Sequence, residues 1–321
     1  MPHRLFRMDR AAVDRFEASR GRLASLAYRL LGSAADAEDA VQDTFLRWQA
    51  ADRERVEVPE AWLTKVVTNL CLDRLRSAQA RHERAAGARL PEPLLQGDPM
   101  LGPADTFEQR ESVSLAVLTL LERLSPVERA VYVLRVAFLY SHAEIAGILD
   151  ITESASQQHA HRARSRVRDV AGRRRGGEAD PASARRVVEE FLTAAMSGRT
   201  ERLVALLTDD ATAISDGAGL SKRLVRYETR ERVASFARAG FKPTPAKRRL
   251  AGGSPAMHIA VVNGSPAVVA VVDDRVVGIV AFEIGDGKVA SMHGIAAADR
   301  LGRLNEAWRR NDPEAPVINA W

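Results

Sequence analysis

Between positions 36 and 84 the apolar residues fall three and four apart, and only an α-helix gathers such positions on one side of a chain. Ala37, Ala40, Val41, Thr44, Phe45 and Trp48 form one stripe, opposite an acidic and polar face of Asp36, Glu38, Asp39, Gln42 and Asp43. Pro59 suits the first turn of a second helix. There Leu63, Val66, Val67, Leu70 and Cys71 make the buried stripe. Trp62, Lys65, Asn69, Asp73 and Arg76 recur on another face, with Arg81, His82 and Arg84 just beyond. An acidic surface beside a basic, aromatic and amide-bearing one suits a chain that touches a protein partner and nucleic acid together.

With 321 residues there is room for two or three domains, each with its own core. The net charge of +5 comes from 47 basic against 42 acidic residues spread over both halves. Local placement of charge therefore says more about nucleic acid than the total does. A single cysteine, Cys71, excludes an internal disulfide, and its apolar stripe is the place of a small buried hydrophobe. No Cys/His spacing suggests zinc, and no cofactor is expected. The first residues, MPHRLFRMDRAAVDRFE, lack the apolar core of a signal peptide. No run approaches the roughly eighteen apolar residues of a membrane span, so a cytoplasmic chain with no membrane contact is expected.

Val13, Phe16, Leu23, Leu26, Ala27, Leu30 and Leu31 extend the helical pattern upstream, and Gly32 and Ser33 close that helix and cap the next. Residues 8–85 are thus expected as one all-helical unit. Over 86–107 the prolines Pro91, Pro93, Pro99 and Pro103 join Gly87, Gly97 and Gly102 in the composition of a semi-rigid linker. About twenty residues at about 3.3 Å each reach roughly 65 Å. That exceeds one turn of DNA, about 34–36 Å, so flanking modules have the reach for separated elements. Over 108–172 helices return, with a stripe at Val113, Val117, Leu120, Leu121 and Leu124 and a cap and first turn at Ser125, Pro126 and Glu128.

Positions 143–149, 150–152 and 153–168 read as helix, turn and helix. In a helix-turn-helix the second helix enters the major groove with its N-terminal residues at base edges. The candidates are Ser154, Ser156, Gln157, Gln158, His159 and His161, followed by Arg162, Arg164, Arg166 and Arg168 for phosphates. Arg173, Arg174, Arg175, Gly176 and Gly177 make a basic, flexible joint. From 180 to 305 two amphipathic helices, around Phe191 and Leu203, precede β-branched runs (MHIAVVN, AVVAVVDD, VVGIVAFEIGDGKVASMHGIA) separated by turn residues. Helices followed by a strand meander indicate an α+β domain.

DAEDAVQDTFLRW and AWLTKVVTNLCLDRLRS resemble the polymerase-core-binding and minus-ten helices of region two of the extracytoplasmic-function (ECF) sigma factors. LSPVERAVYVLRVAF, AEIAGIL and HRARSRV resemble region four, which reads the minus-thirty-five element; family members often have a basic residue at the place of Gln157 and a β-branched one at that of Ser156. Residues 180–305 resemble a SnoaL-like domain, a cone of curved sheet closed by helices. The resemblance implies two all-α sigma modules followed by an α+β SnoaL-like cone. It implies RNA polymerase core, through its beta and beta-prime subunits, and promoter DNA as partners. Asp36, Asp39, Gln42, Asp43, Phe45 and Trp48 would then dock on core; Trp62, Lys65, Asn69, Asp73, Arg76 and Arg81 would take the minus-ten strand. Leu90-Pro91-Glu92-Pro93 resembles a linker motif of one sigma subset, whose aromatic residue is replaced here by Arg89. Asp216, Gly217 and Gly219 resemble that subset's glycine-rich motif, with Ala218 and Leu220 where it has glycine and lysine, and Asp299-Arg300-Leu301 a C-terminal one.

Asp209, Asp210, Asp216, His258 and His293 are the candidate acid–base groups of the third unit. His258 and His293 alternate with apolar residues and are placed to point into a cone, although a satisfied core histidine is the plainer reading. Asp209-Asp210 is expected as a turn pair after a helix. No phosphate loop, metal signature or nucleophile motif occurs, so catalysis is not expected. The reading is a sigma factor whose third domain regulates it, by restraint in preference to support, with room for an unidentified small ligand. The rivals are a ligand-sensing helix-turn-helix regulator without sigma function and a fused cyclase or isomerase.

Overall fold

The computed structural model describes residues 10–82, 89–102, 105–171, 180–219 and 224–320. Arg84, Leu220 and positions 173–177 lie outside the described residues, as do the side chains of Arg81, His82 and Arg168. Three helices, α1 (Arg10–Leu31), α2 (Ala34–Ala50) and α3 (Pro59–His82), form the first module. Phe16, Leu23, Leu26, Leu30, Leu63, Val67 and Cys71 fill its core. Burial pushes the Cys71 thiol up to about 12, which fits an inert apolar packing role. Ser33 caps α2 by accepting from the Asp36 amide.

The second module comprises α4 (Phe107–Glu111), α5 (Leu115–Leu121), α6 (Pro126–Val136), α7 (His142–Leu149) and α8 (Glu153–Ala171). Capping boxes at Thr106/Gln109, Ser125/Glu128 and Ser141/Glu144 set where α4, α6 and α7 begin. Asp150, at φ 54° and ψ 46°, supplies the left-handed residue that ends α7.

The proline-rich stretch is not a free linker. Leu90, Leu94, Leu95, Met100 and Leu101 are all buried. Gly102 (φ 66°) lies against Ser25, where a Cβ would collide with the hydroxyl oxygen, so glycine is required there. The prolines space apolar anchors rather than keeping the chain in solvent.

The third unit runs α9 (Pro181–Ser197), α10 (Thr200–Ala205), β1 (Leu207–Ser215), β2 (Val225–Tyr227), α11 (Arg230–Phe241), α12 (Pro245–Ala251), β3 (Ala256–Val262), β4 (Ser265–Val272), β5 (Arg275–Gly285), β6 (Lys288–Ile295) and α13 (Gly302–Arg310). The six-stranded sheet has the order β2-β1-β6-β5-β4-β3, antiparallel except for the parallel β1–β6 pair. One face packs on α9, α10 and α11 through Phe191, Val233, Phe282 and Met292. The opposite face, with Val269, Ile279 and Ile295, packs on Leu304 and Trp308 of α13 and on Leu90, Leu95 and Leu115 of the sigma half.

Two sequence expectations fail here. Asp209 and Asp210 lie within β1 rather than in a turn; an irregular register between Leu207 and Thr212 leaves both exposed, and Asp209 accepts from Arg230. His258 and His293 do not point toward the helix-covered side. His258 shares the face of Ala260 and Val262 and meets the Trp308 ring at 5.3 Å, while its Nδ1 lies 2.9 Å from the Glu314 carbonyl oxygen. His293 stands opposite Ala281, on the same side.

Candidate polymerase and promoter interfaces

On α2, Ala37, Ala40, Val41, Thr44 and Trp48 are buried while Asp36, Asp39 and Gln42 stay exposed. Arg74 of α3 holds Asp43 at 2.8 Å and donates to the Asp36 carbonyl oxygen. Asp39, Gln42 and the 55%-exposed Leu46 share one helix face. Leu46 was not anticipated, because an apolar residue outside the stripe carries no periodic signal. Trp48 is a correction: it is 2% exposed, and its indole N–H donates to the Ala12 carbonyl. A side chain so enclosed belongs to the core, where its ring meets Trp62 at 5.5 Å. Phe45 is half-buried against Phe16.

On α3, Trp62, Lys65, Asn69, Asp73 and Arg76 lie along one stripe, with Asp73 and Arg76 exposed and paired at 3.3 Å. The structure brings this stripe against the second module. Lys65 Nζ donates to Asp150 Oδ1 at 2.6 Å and to the Gly147 carbonyl at 3.0 Å, both at the end of α7. Thr64 Oγ1 and the Tyr140 hydroxyl are 3.1 Å apart beside it. Two surfaces expected to face DNA thus touch each other.

Along α8, Ala160, Ala163 and Val167 pack inward. Ser154, Gln157, Gln158 and His161 are exposed and Arg164 is partly so. Ser156 is a second correction: it is fully buried, its hydroxyl 2.9 Å from His142 Nδ1, and it holds α8 to α7 instead of facing bases. Arg162 and Arg166 turn to Glu128 at 3.2 and 2.8 Å. Burial raises the Glu128 pKa, but the Ser125 amide and hydroxyl with Arg166 and Arg162 outweigh it and leave the carboxyl below its ordinary value. His159 Nδ1 sits 3.0 Å from Arg162; burial, then that charge, lowers its pKa.

Between the two modules and the sheet lies a polar lock centred on Asn263, which is fully buried at the β3–β4 turn with φ 51°. Its Oδ1 accepts from the Leu94 amide, and its Nδ2 donates to the Tyr28 hydroxyl and the Val113 carbonyl, each at 2.8 Å. One side chain therefore joins the first module, the 89–102 segment, the second module and the third domain. Tyr28 in turn donates to the Glu92 carbonyl at 2.6 Å. The Glu92 carboxylate accepts from Ser33 and the Ala34 amide and pairs with Arg300 at 3.4 Å. Arg303 grips Asp98 at 2.6 and 3.0 Å and also reaches Glu38; these carboxylates hold its pKa well above the ordinary value. Arg89 pairs with Asp299 at 3.6 Å.

Asp216 accepts from the Ala218, Ala296 and Ala297 amides, while Gly217–Gly219 forms a tight turn with Ala218 at φ 57°. The glycine-rich motif thereby fixes the backbone just ahead of Asp299 and Arg300. Asn263, Tyr28 and Arg303 were not singled out from the sequence. Asn263-Gly264 carried only a turn signal, and a turn signal is silent about what the asparagine amide will meet.

A helical module with an exposed acidic helix, followed by a helix-turn-helix, is the two-module plan of a sigma factor. The family models Sigma-70 region 2 and Sigma-70, region 4 match residues 15–81 and 114–167. The chain belongs to the ECF sigma factors, non-enzymatic transcription factors that direct RNA polymerase to promoters. It is 36% identical over 309 residues to the ECF RNA polymerase sigma factor SigJ of Mycobacterium tuberculosis, covering 94% of this chain and 96% of that protein. The crystal structure of SigJ matches with a TM-score of 0.66 at 34% identity, over 90% of this chain and 98% of that one. SigM of the same organism is 36% identical over 169 residues, 51% of this chain and 79% of that protein. The third unit, a six-stranded mixed sheet with helices, is the α+β domain expected. No helix among the described residues is long and apolar enough to cross a membrane.

Proposed function

We propose that the free chain is a closed sigma factor whose C-terminal domain restrains the two DNA-reading modules. Regions two and four would serve promoter and polymerase in the cytoplasm. The α2 face of Asp36, Asp39, Gln42 and Leu46 docks on the beta and beta-prime subunits of core. Lys65, Asn69, Asp73 and Arg76 take the minus-ten strand, where opening costs a few kcal/mol per extruded base and stacking on the captured bases offsets it. Ser154, Gln157, Gln158 and His161 face the minus-thirty-five element, with Arg164 beside them for phosphate.

The observation that carries restraint is the docking of the 89–102 segment. Elements centred about 25 base pairs apart are about 85 Å apart at about 3.4 Å per base pair. A linker buried under Asn263 and Arg303, with Lys65 tied to the helix-turn-helix, holds the modules in contact instead. Asp216, Gly217 and Gly219 act at one remove by fixing the strand end that presents Asp299 and Arg300 to Arg89 and Glu92. Leu90, Pro91, Glu92 and Pro93 form the seat.

Run-off transcription with purified core polymerase, using the full chain and a chain ending at Gly177, tests this. Restraint predicts more transcript and tighter core binding after truncation. Equal transcription and equal core affinity would rule out regulation in either direction, and a loss of both would mean that the domain supports the modules.

A further inference from the structure

A cavity of about 350 Å³ lies where the second module meets the C-terminal sheet. It is on the sheet face away from α9–α11, so it is not the interior of the cone. One wall is α5 and the turn after it; the other is β1, β2 and β6. Leu120 and Ile214 give it apolar sides. Thr212 and Ser291 add hydroxyl groups. Its volume falls at the lower end of the range of small-molecule sites, about 300–1,000 Å³.

The charge in this cavity is unusual. Arg123, from the second module, and Arg226, from β2, both line it. Among the described residues neither has a carboxylate within ion-pair distance. They are close enough to repel: burial, then the Arg123 charge, pulls the Arg226 pKa down. Glu228 lines the same cavity, and Glu122 acts on Arg226 from the side. Two guanidinium groups facing one space with only partial compensation form a site for an anion, and their planar forks match a carboxylate.

We propose that this cavity binds a small carboxylate with an apolar body, its carboxylate between Arg123 and Arg226 and its body against Leu120 and Ile214. The two arginines come from different modules, so the bound anion joins them. Occupancy then favours the docked arrangement by its affinity for that arrangement alone. The site is independent of the direction in which the C-terminal domain acts on transcription.

Calorimetric titration of the full chain with sodium 1-naphthoate tests the site directly, with 1-naphthamide as the neutral probe of like shape. Naphthoate should bind, naphthamide should bind about tenfold more weakly or not at all, and Arg123→Gln and Arg226→Gln should each weaken naphthoate by about tenfold. Both arginines are exposed, so the variants keep the fold; circular dichroism and melting temperature verify it. Leu120→Trp, which fills the cavity, should also abolish binding. Absence of binding up to about 1 mM, equal binding of the amide, or undiminished binding in the double arginine variant would each overturn the proposal. None of these readouts depends on polymerase, so the site can fail while the restraint stands, or the reverse.

Discussion

Replacing Asn263 with glycine should release the 89–102 segment without disturbing the hairpin that carries it. Glycine adopts the positive φ of this position at no cost, so the change removes the side chain alone. The Leu94 amide and the Val113 carbonyl then lose their side-chain partner in a buried setting, whereas the Tyr28 hydroxyl keeps the Glu92 carbonyl. An orphaned buried donor or acceptor costs about 1–3 kcal/mol, so the pair costs about 2–6 kcal/mol. Water entering the vacated space keeps the effect toward the lower end. At about 1.4 kcal/mol per tenfold, the docking equilibrium moves by roughly 30-fold at least. Native-state hydrogen exchange reads this directly, since the Gln96 amide bonds to the Val261 carbonyl only while the segment is docked. Exchange across 90–101 should accelerate by about that factor while the β4–β5 ladder stays protected. Unchanged protection of Leu94 and Gln96 would refute the assignment of Asn263 as the lock.

Trp48→Ala should act as a core deletion, costing about 3–5 kcal/mol and lowering the melting temperature by roughly 10 °C, without a selective loss of core binding. A selective loss with unchanged melting would return Trp48 to the interface. Asp39→Lys combined with Leu46→Ser should weaken core polymerase binding by about tenfold or more at unchanged melting temperature, as measured by co-purification and titration. Burial raises the Glu122 pKa to about 7, against the pull of Arg129, Arg300 and Arg226. The folded state therefore keeps a proton that an unfolded glutamate releases near pH 4.3, and stability declines as pH rises from there through about 7. Glu122→Gln should flatten that segment of the curve in denaturant titrations at several pH values.

Helical periodicity made α1–α3 and the helix-turn-helix legible, because there the apolar stripe is also the buried stripe. The misplacements of Trp48 and Ser156 have other origins. Periodicity set Trp48 in the buried stripe and the family resemblance drew it to the interface, while the position of Ser156 early in the second helix could not say which polar neighbour its hydroxyl would find. The strands from Ala256 onward were legible through β-branching. Strand β1 was not, since Leu207–Ser215 carries consecutive aspartates and draws its regularity from parallel pairing with β6, far along the chain. The faces of His258 and His293 depended on which side of the sheet α9–α11 would cover. Proline content concealed the docked 89–102 segment, whose anchors Leu90, Leu94 and Leu95 are too few for a periodic signal.

The distance between α3 and α8 is the most direct measure of the closed arrangement. Spin labels on cysteines introduced at Ala61 and Ser165, both exposed, report it by double electron–electron resonance. Buried Cys71 stays unlabelled because its thiol remains protonated. The free full-length chain should give one short, narrow distance. The Asn263→Gly chain should add a longer, broader population, and the chain bound to core polymerase and promoter DNA should show the long distance alone. An identical short distance in the free and promoter-bound chains would contradict the claim that the modules must part to work.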